Sequence, residues 1–347
     1  TFSLTLTNVK VLANSAQGDG AGVYTGSPMT ATGVVISNNT STVNGGGLYN
    51  EGNTSIVNST ISNNTAEGGG GVFLTGSNTV NISGSTLSGN TAVGGGGISA
   101  RSGMTLKVVN STISGNTGQD VGAGIYSNGN VQLNFVTIAN NVAGSDSKTQ
   151  GSGINMFPAS STANALTLKN VLLSGNMAGS DPAALFSANC GMTGGGIPVT
   201  SQGSNLSSDA SCDMWLTAAT DKKSVDPKLD VLADNTGPTL THKLLAGSPA
   251  MAAGTADASV TVDQRGVARD AVPDIGAYED PAPVVPPGTD TGTGTGTLPS
   301  TDTSSSSGGG GGCAVSPNAD FDAGLLGLLA AAASGLFLRR RRQGTAD

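Results

Sequence analysis

Seven asparagines recur in this chain at nearly one interval: Asn14, Asn39, Asn64, Asn90, Asn116, Asn141 and Asn176, separated by 25, 25, 26, 26, 25 and 35 residues. Each stands three positions after an apolar residue, in turn Val11, Ile36, Ile61, Leu87, Ile113, Ile138 and Leu173. A fixed period of this length marks a stacked repeat, in which a unit too small to bury a core alone leans on copies of itself.

A second marker keeps the same period. Glycine followed by an apolar residue returns at Gly22-Val23, Gly47-Leu48, Gly71-Val72, Gly97-Ile98, Gly124-Ile125 and Gly153-Ile154. Alternating runs follow most of these pairs, among them Val80-Asn81-Ile82, Leu106-Lys107-Val108, Val131-Gln132-Leu133 and Leu166-Thr167-Leu168. Inside-outside alternation of this kind suits a strand, so each repeat holds about three short strands. Gly, Ser, Thr and Asn dominate, and no run before residue 320 has helical spacing, which disfavours helical repeats. The expected fold is all-β: a right-handed parallel β-helix, a solenoid of roughly seven coils over residues 1–189.

In such a solenoid equivalent asparagines of successive coils lie about 4.8 Å apart. Carboxamides at that separation donate and accept along the axis, which satisfies buried polar groups with their own copies. The glycine runs Gly68 to Gly71 and Gly94 to Gly97 are expected to supply positive φ where one strand bends into the next. They carry no phosphate site, because strands flank them on both sides. The chain opens at Thr1 inside strand-like Leu4-Thr5-Leu6, so an N-terminal cap and a signal peptide are expected to precede it.

With 54 Gly and only 3% aromatic residues in 347, the composition fits a thin-cored column better than a close-packed globule. The net charge of -8 is spread thinly, and the repeats nearly balance: Lys10, Arg101, Lys107, Lys148 and Lys169 face Asp19, Glu51, Glu67, Asp120 and Asp146. No basic stripe precedes the last residues, which argues against a nucleic-acid partner. Cys190 and Cys212, 22 apart with no histidine nearby, suit a disulfide closing a turn in an oxidising compartment, the alternative being buried free thiols.

Beyond about residue 185 the repeat fades, and residues 181–280 hold thirteen Asp or Glu against six Lys or Arg. The stretches "SQGSNLSSDASC" (201–212), "DPKLDVLADNTGPTLTHKLLAGSPAMAAG" (226–254) and "VDQRGVARDAVPDIGAYE" (262–279) resemble the choice-of-anchor Q domain of bacterial surface proteins. That resemblance implies a β-rich cap over residues 190–280 that ends a β-helix, and it implies no activity. Asp263, Arg265, Asp274 and Glu279 read as a charge network closing the column, with Gly266 and Gly276 at turns. The catalytic alternative is a carboxylate pair flanking a glycosidic bond, with Arg265 orienting substrate. His242, the single histidine, reads as a packed loop residue or, alternatively, as a base. The units "STISNNTAEGGGGVF" and "STLSGNTAVGGGGI" also resemble the repeats of chlamydial polymorphic outer-membrane proteins, although no terminal barrel follows.

Residues 281–312 run through Pro, Thr/Gly, Ser and Gly tracts and read as a disordered stalk. Residues 313–347 hold Cys313, an apolar segment from Ala323 to Leu338 and Arg339 to Arg342. Sixteen helical residues span about 24 Å, a marginal transmembrane helix with a cytoplasmic basic end. Glycine run, cysteine, apolar helix and arginines together resemble C-terminal sorting signals of the GlyGly-CTERM and JDVT-CTERM type. By that resemblance Gly311, Gly312 and Cys313 form the processing site, and the partners are a sorting protease and the envelope anchoring machinery. The expected protein is exported to the bacterial cell envelope and displayed at the surface. Its expected role is structural, adhesive or carbohydrate-binding, without cofactor, toward an extracellular glycan or a host or cell surface.

The rival class is a polysaccharide lyase or glycoside hydrolase built on the same fold. Its weak catalytic candidates are Asp120 and Asp146, whose spacing of 26 would stack them in neighbouring coils, with Glu67 in the corresponding loop two coils earlier. Calcium is the one ion such a pair could hold.

Overall fold

The computed structural model describes residues 2–147, 150–158 and 164–281. Through these the chain winds as a right-handed coil whose strands pair parallel with the equivalent strands one coil away. One face is a 14-stranded sheet folded into two limbs. Its first limb begins with Leu4–Thr7, Met29–Thr32 and Thr54–Val57; its second begins with Lys10–Leu12, Val35–Ser37 and Thr60–Ser62. Thr105–Ser114 and Asn130–Ala139 run through both limbs without a break. Opposite lies a 7-stranded sheet from Val23–Thr25 to Cys190–Met192, and a narrower 5-stranded sheet closes the section.

The register explains how so few apolar residues make a core. Ile36, Ile61, Leu87, Ile113 and Ile138 pair in file, as do Leu48, Val72, Ile98, Ile125 and Ile154 on the facing sheet. All ten are buried. Each side chain packs on its own copies above and below, so a single inward position per strand suffices. The corners have their own chemistry. The residue before each ladder asparagine is left-handed: Ala13 in the first coil, then Asn38, Asn63, Gly89, Gly115, Asn140 and Gly175, the last six being types that tolerate that region. A second left-handed file marks the bend between the limbs, at Gly33, Asn58, Gly84, Asn110 and Phe135.

The glycine runs meet the expectation only in part. Within Gly68 to Gly71 positive φ occurs at Gly69, and within Gly94 to Gly97 at Gly95. Gly71 and Gly97 are required for close approach instead. A Cβ on either would stand 2.6 Å from the carbonyl oxygen of the corresponding glycine in the next coil.

The asparagines form a continuous axial ladder. Asn39 Nδ2 donates to Asn64 Oδ1 at 2.9 Å, Asn64 to Asn90 and Asn90 to Asn116 at 3.0 Å, Asn116 to Asn141 at 2.9 Å and Asn141 to Asn176 at 2.7 Å. The second amide hydrogen goes to a backbone carbonyl, from Asn90 to Ile61 for example, and each Oδ1 also accepts the backbone N–H of the preceding asparagine. Both donors and the acceptor are therefore used. The file continues one rung further than the period suggests. Asn176 Nδ2 donates to Asn189 Oδ1 at 2.8 Å, only 13 residues on, because Met177–Ala178 and Phe186–Ser187 pair antiparallel and turn the chain back early. Asp209 ends the file: its carboxylate accepts the Asn189 N–H at 3.0 Å and has no proton to pass on.

The last coil is closed by the Cys190–Cys212 disulfide (Cα–Cα 5.0 Å), with Trp215 and Leu216 buried beside it. Residues 226–280 do not end the column, contrary to expectation. They lie along its flank as a strap over the second limb. Thr239 Oγ1 donates to the Gly84 carbonyl, Thr112 Oγ1 to Gln264 Oε1, and the Ala277 N–H to Thr137 Oγ1. A small apolar cluster of Leu172, Leu206, Leu244, Ala250, Ile275 and Tyr278 joins strap to coil. Sequence separations of 140 to 155 residues in these bonds account for the difference, since spacing within the strap carries no trace of what it docks against. The stalk, the segment 323–338 and the Gly311, Gly312 and Cys313 motif lie outside the described residues.

Candidate functional site

Two places in the fold gather charged side chains: the underside of the strap and a groove on the 7-stranded sheet. Under the strap, Arg265 pairs with Asp263 and Arg269 with Glu279, each at 2.8 Å. Both guanidinium groups also cover rings, Arg265 over Tyr278 at 3.6 Å and Arg269 over Phe135 at 3.8 Å. Asp274 accepts the N–H groups of Ala252 and Asp280. Burial pushes the Asp274 and Glu279 carboxyls up, opposed at Glu279 by the Asp274 N–H and Arg269. Asp263, Asp274 and Glu279 are all buried beneath the strap, and protein donors occupy their oxygens. They cannot flank a glycosidic bond, which needs carboxyls open to a sugar and a water. Arg269, absent from the sequence reading, anchors this network to the coils through Asn110 Oδ1 at 3.0 Å.

His242 sits on the strand Thr241–Leu244 and not in a loop. Its Nε2 meets Ser114 Oγ at 2.8 Å and its Nδ1 the Asp230 carbonyl at 2.7 Å. At 2% exposure it has no path to a substrate, and burial lowers its pKa. The Ser–His contact resembles half of a nucleophilic pair, but here it fastens the strap to the column.

Asp120 and Asp146 are not brought into step. Strand pairing runs at an offset of 25, through Thr117↔Val142 and Gly118↔Ala143, whereas stacking these two acids requires 26. Asp146 turns instead to the next coil, where the N–H and hydroxyl of Ser180 hold its carboxylate at 2.7 and 2.6 Å and lower its pKa. Among the described residues no three His, Cys, Asp or Glu side chains converge as a metal site would require.

Asp120 lines an open groove of about 490 Å³ with Glu67, Arg101, Tyr126, Asn44 and Gly94. The groove lies against a file of ring positions on the 7-stranded sheet. Tyr24 stacks on Tyr49 with centroids 5.1 Å apart, Tyr49 on Phe73 at 5.4 Å, and Tyr126 on Phe157 at 4.5 Å. Arg101 covers the Phe73 ring at 5.1 Å. Burial, with the Glu51 carboxylate as second cause, pushes the Tyr49 hydroxyl up to about 12. The sequence contains the signal for this file, an aromatic directly after four of the six Gly-apolar pairs, at Tyr24, Tyr49, Phe73 and Tyr126.

A right-handed coil of parallel strands wound on an axial amide ladder defines the class of parallel β-helix proteins. The description of right-handed β-helix regions matches residues 1–211, and the chain belongs to that family. No curated protein matches it. Among solved structures, a crystal structure of pectate lyase Pel9A is similar at 14% identity and a TM-score of 0.45, over 79% of this chain. The chain spans 65% of the length of that enzyme.

Proposed function

We propose that this protein is an exported, non-catalytic β-helix held at the bacterial cell surface, where the column makes structural, adhesive or carbohydrate contacts. The observation that supports the reading is the commitment of its acids. Asp263, Asp274 and Glu279 serve the strap, Asp146 serves Ser180, and Asp209 and Asp221 accept from the ends of amide files. A hydrolase or lyase needs an acid or base free to exchange protons with substrate, and this column keeps few such groups. The resemblance of residues 201–279 to choice-of-anchor Q domains and of 308–342 to sorting signals supports surface display, through a sorting protease and the envelope machinery.

Two experiments test it. Reducing-end and unsaturated-product assays on pectin, alginate and glucans are expected to detect no turnover; turnover that disappears in Asp120→Ala or Asp146→Ala would replace this reading with the enzymatic one. Mass spectrometry of the protein from native membranes is expected to find a mature C-terminus at the Gly311-Gly312-Cys313 motif. An intact Asp347 terminus would remove the processing step.

A further inference from the structure

One outward file of the first limb changes its chemistry at its last two strands. Thr7, Thr32, Val57, Ser83 and Val109 hold the file in turn, and Asn134 and Lys169 follow as direct register partners. An amide and an amine thus stand side by side on paired strands, whose backbones run about 4.8 Å apart. A turn of the strap, closed by the Val260 N–H on the Asp257 carbonyl at 2.9 Å, lays the Asp257 side chain across both. Lys169 Nζ donates to Asp257 Oδ2 at 2.8 Å, and Asn134 Nδ2 donates to the same oxygen at 3.0 Å. The other carboxylate oxygen accepts the N–H and the hydroxyl of Ser259 at 3.0 and 2.6 Å, which leaves Oδ2 aimed at the pair.

The amide is held at its oxygen as well. Asn170 Nδ2 reaches Asn134 Oδ1 at 3.4 Å and the Thr255 carbonyl at 2.9 Å, while Asn170 Oδ1 accepts the Thr255 N–H at 2.8 Å. Asn170 is fully buried, so this donor is fixed in place. The strap's other two ion pairs, Arg265–Asp263 and Arg269–Glu279, use guanidinium groups, which stay protonated and do not act as nucleophiles. Here alone among the described ion pairs the strap meets an amine. Three reacting parts therefore converge: an amine, a carbonyl carbon whose oxygen already faces a donor, and one carboxylate oxygen in contact with both nitrogens.

We infer that Lys169 and Asn134 become joined by an isopeptide bond, a cross-link between neighbouring coils that the folded chain forms by itself. Lys169 Nζ, as the free amine, adds to Asn134 Cγ, and Asn170 Nδ2 stabilises the oxygen as it gains charge. Asp257 Oδ2 takes the proton that Nζ gives up and returns it to Asn134 Nδ2. The Nζ–Cγ bond forms, the Cγ–Nδ2 bond breaks and ammonia leaves, with no change of oxidation state. The ion pair is the resting state, since Lys169 and Ser259 hold the Asp257 carboxyl well below the usual carboxylate range. Lys169 attacks only in the fraction of time it is neutral, which makes closure slow; departure of ammonia then makes it lasting. The linked residues are 35 apart, in the coil whose ladder asparagines have the longest interval, so the bond ties down the stretch that the 25-residue period leaves loosest.

The test is mass spectrometry of the purified full chain, intact and after trypsin, followed over a time course of incubation. The expected loss is one ammonia, and trypsin, blocked at Lys169, is expected to release a branched peptide that joins residues 108–148 to 149–222. Alkaline incubation leaves more of Lys169 neutral and is expected to hasten its appearance. Lys169→Arg, which keeps the ion pair, and Asn134→Ala are each expected to abolish the branched peptide, and Asp257→Asn to slow its formation at least about ten-fold. Should Asp257→Asn misfold, the wild type and Lys169→Arg decide between them. A wild-type chain that trypsin still cleaves at Lys169 after long alkaline incubation overturns the inference. Ammonia lost without the branched peptide, or lost equally from Lys169→Arg, marks cyclisation at Asn44-Gly45 or Asn128-Gly129 and overturns it as well. A rate unchanged in Asp257→Asn overturns the part given to Asp257.

Discussion

Replacing Asn90 by alanine tests the ladder at its centre. The substitution removes four hydrogen bonds: Nδ2 to Asn116 Oδ1, Nδ2 to the Ile61 carbonyl, and the two that Asn64 directs at Asn90 Oδ1 from its side chain and its backbone N–H. Asn64 Nδ2 keeps the Ile36 carbonyl, but the Asn64 N–H is left buried and unpaired. At about 1 kcal/mol for each bond lost, with about 1–2 kcal/mol more for the orphaned N–H, Asn90→Ala is destabilising by about 5–6 kcal/mol. Asn14→Ala at the exposed first rung removes a single side-chain bond, to Asn39, and is destabilising by about 1 kcal/mol or less. Asn90→Asp is worse than Asn90→Ala: it keeps the acceptor for Asn64, but it buries a negative charge against two acceptors, Asn116 Oδ1 and the Ile61 carbonyl, with no proton for either. Urea unfolding followed by far-ultraviolet circular dichroism measures all three. Equal losses for Asn90→Ala and Asn14→Ala would refute the claim that the amide file holds the coils together, and an Asn90→Asp variant as stable as wild type would refute its donor-acceptor directionality.

Three further outcomes follow from the strap and the last coil. Reduction of Cys190–Cys212, or Cys212→Ser, frees a loop of 22 residues and lowers stability by about 3 kcal/mol in the chain-entropy account, read as a lowered urea midpoint. His242 is buried neutral, with a folded pKa below its unfolded value near 6.5. Its contribution is therefore complete above about pH 6.5 and is lost as pH falls through the folded value, so unfolding free energy drops in that window and His242→Gln flattens the drop. Arg269→Ala leaves the Glu279 carboxylate buried without its partner and is destabilising by about 3–5 kcal/mol; pairing Arg269→Met with Glu279→Gln recovers part of that loss in denaturant titrations.

The coil was legible in the sequence because every coil repeats the same instruction. A period of 25 or 26 residues is also the strand register, so Asn39 predicts the place of Asn64 and Ile36 that of Ile61. A second file went unread although its letters are as plain: Val34 N–H to Ser59 Oγ, Ser59 N–H to Ser85 Oγ and Ser85 N–H to Ser111 Oγ, from Asn-Ser-Thr or Gly-Ser-Thr at each bend. The strap was illegible for a different reason. Gln264 reaches Thr86 across 178 residues, and Arg269 reaches Asn110 across 159; neither partner is periodic with the other. Local pattern encodes the winding, and only the folded column reveals which outward file the strap covers. The ring file combines both cases, since Tyr24, Tyr49, Phe73 and Tyr126 follow the period while Ser99 and Asn155 depart from it.

That departure bears on how a solenoid acquires function. Where every coil is alike, each outward file presents one residue type, and its polar groups are answered by neighbours of the same kind, as Tyr49 is by Glu51 and Asn44 by Asp19. A site requires unlike groups left unanswered, so it has to arise where one coil breaks the rule of the others. Phe135 is such a break in the bend file. It stands left-handed at φ 54 in a position held in the other coils by Gly, Asn or, at residue 204, Ser, and a bulky residue there is strained by about 1–3 kcal/mol. Its ring is what Arg269 covers, and the strap closes over it. Ser99 is a break in the ring file, and it too is covered: it is 1% exposed, and the Arg101 guanidinium of the same coil lies over the neighbouring Phe73 ring. The same physics serves both exceptions: in a repetitive column an irregular coil is covered by the protein's own chain, by the distant strap at Phe135 and by near neighbours at Ser99.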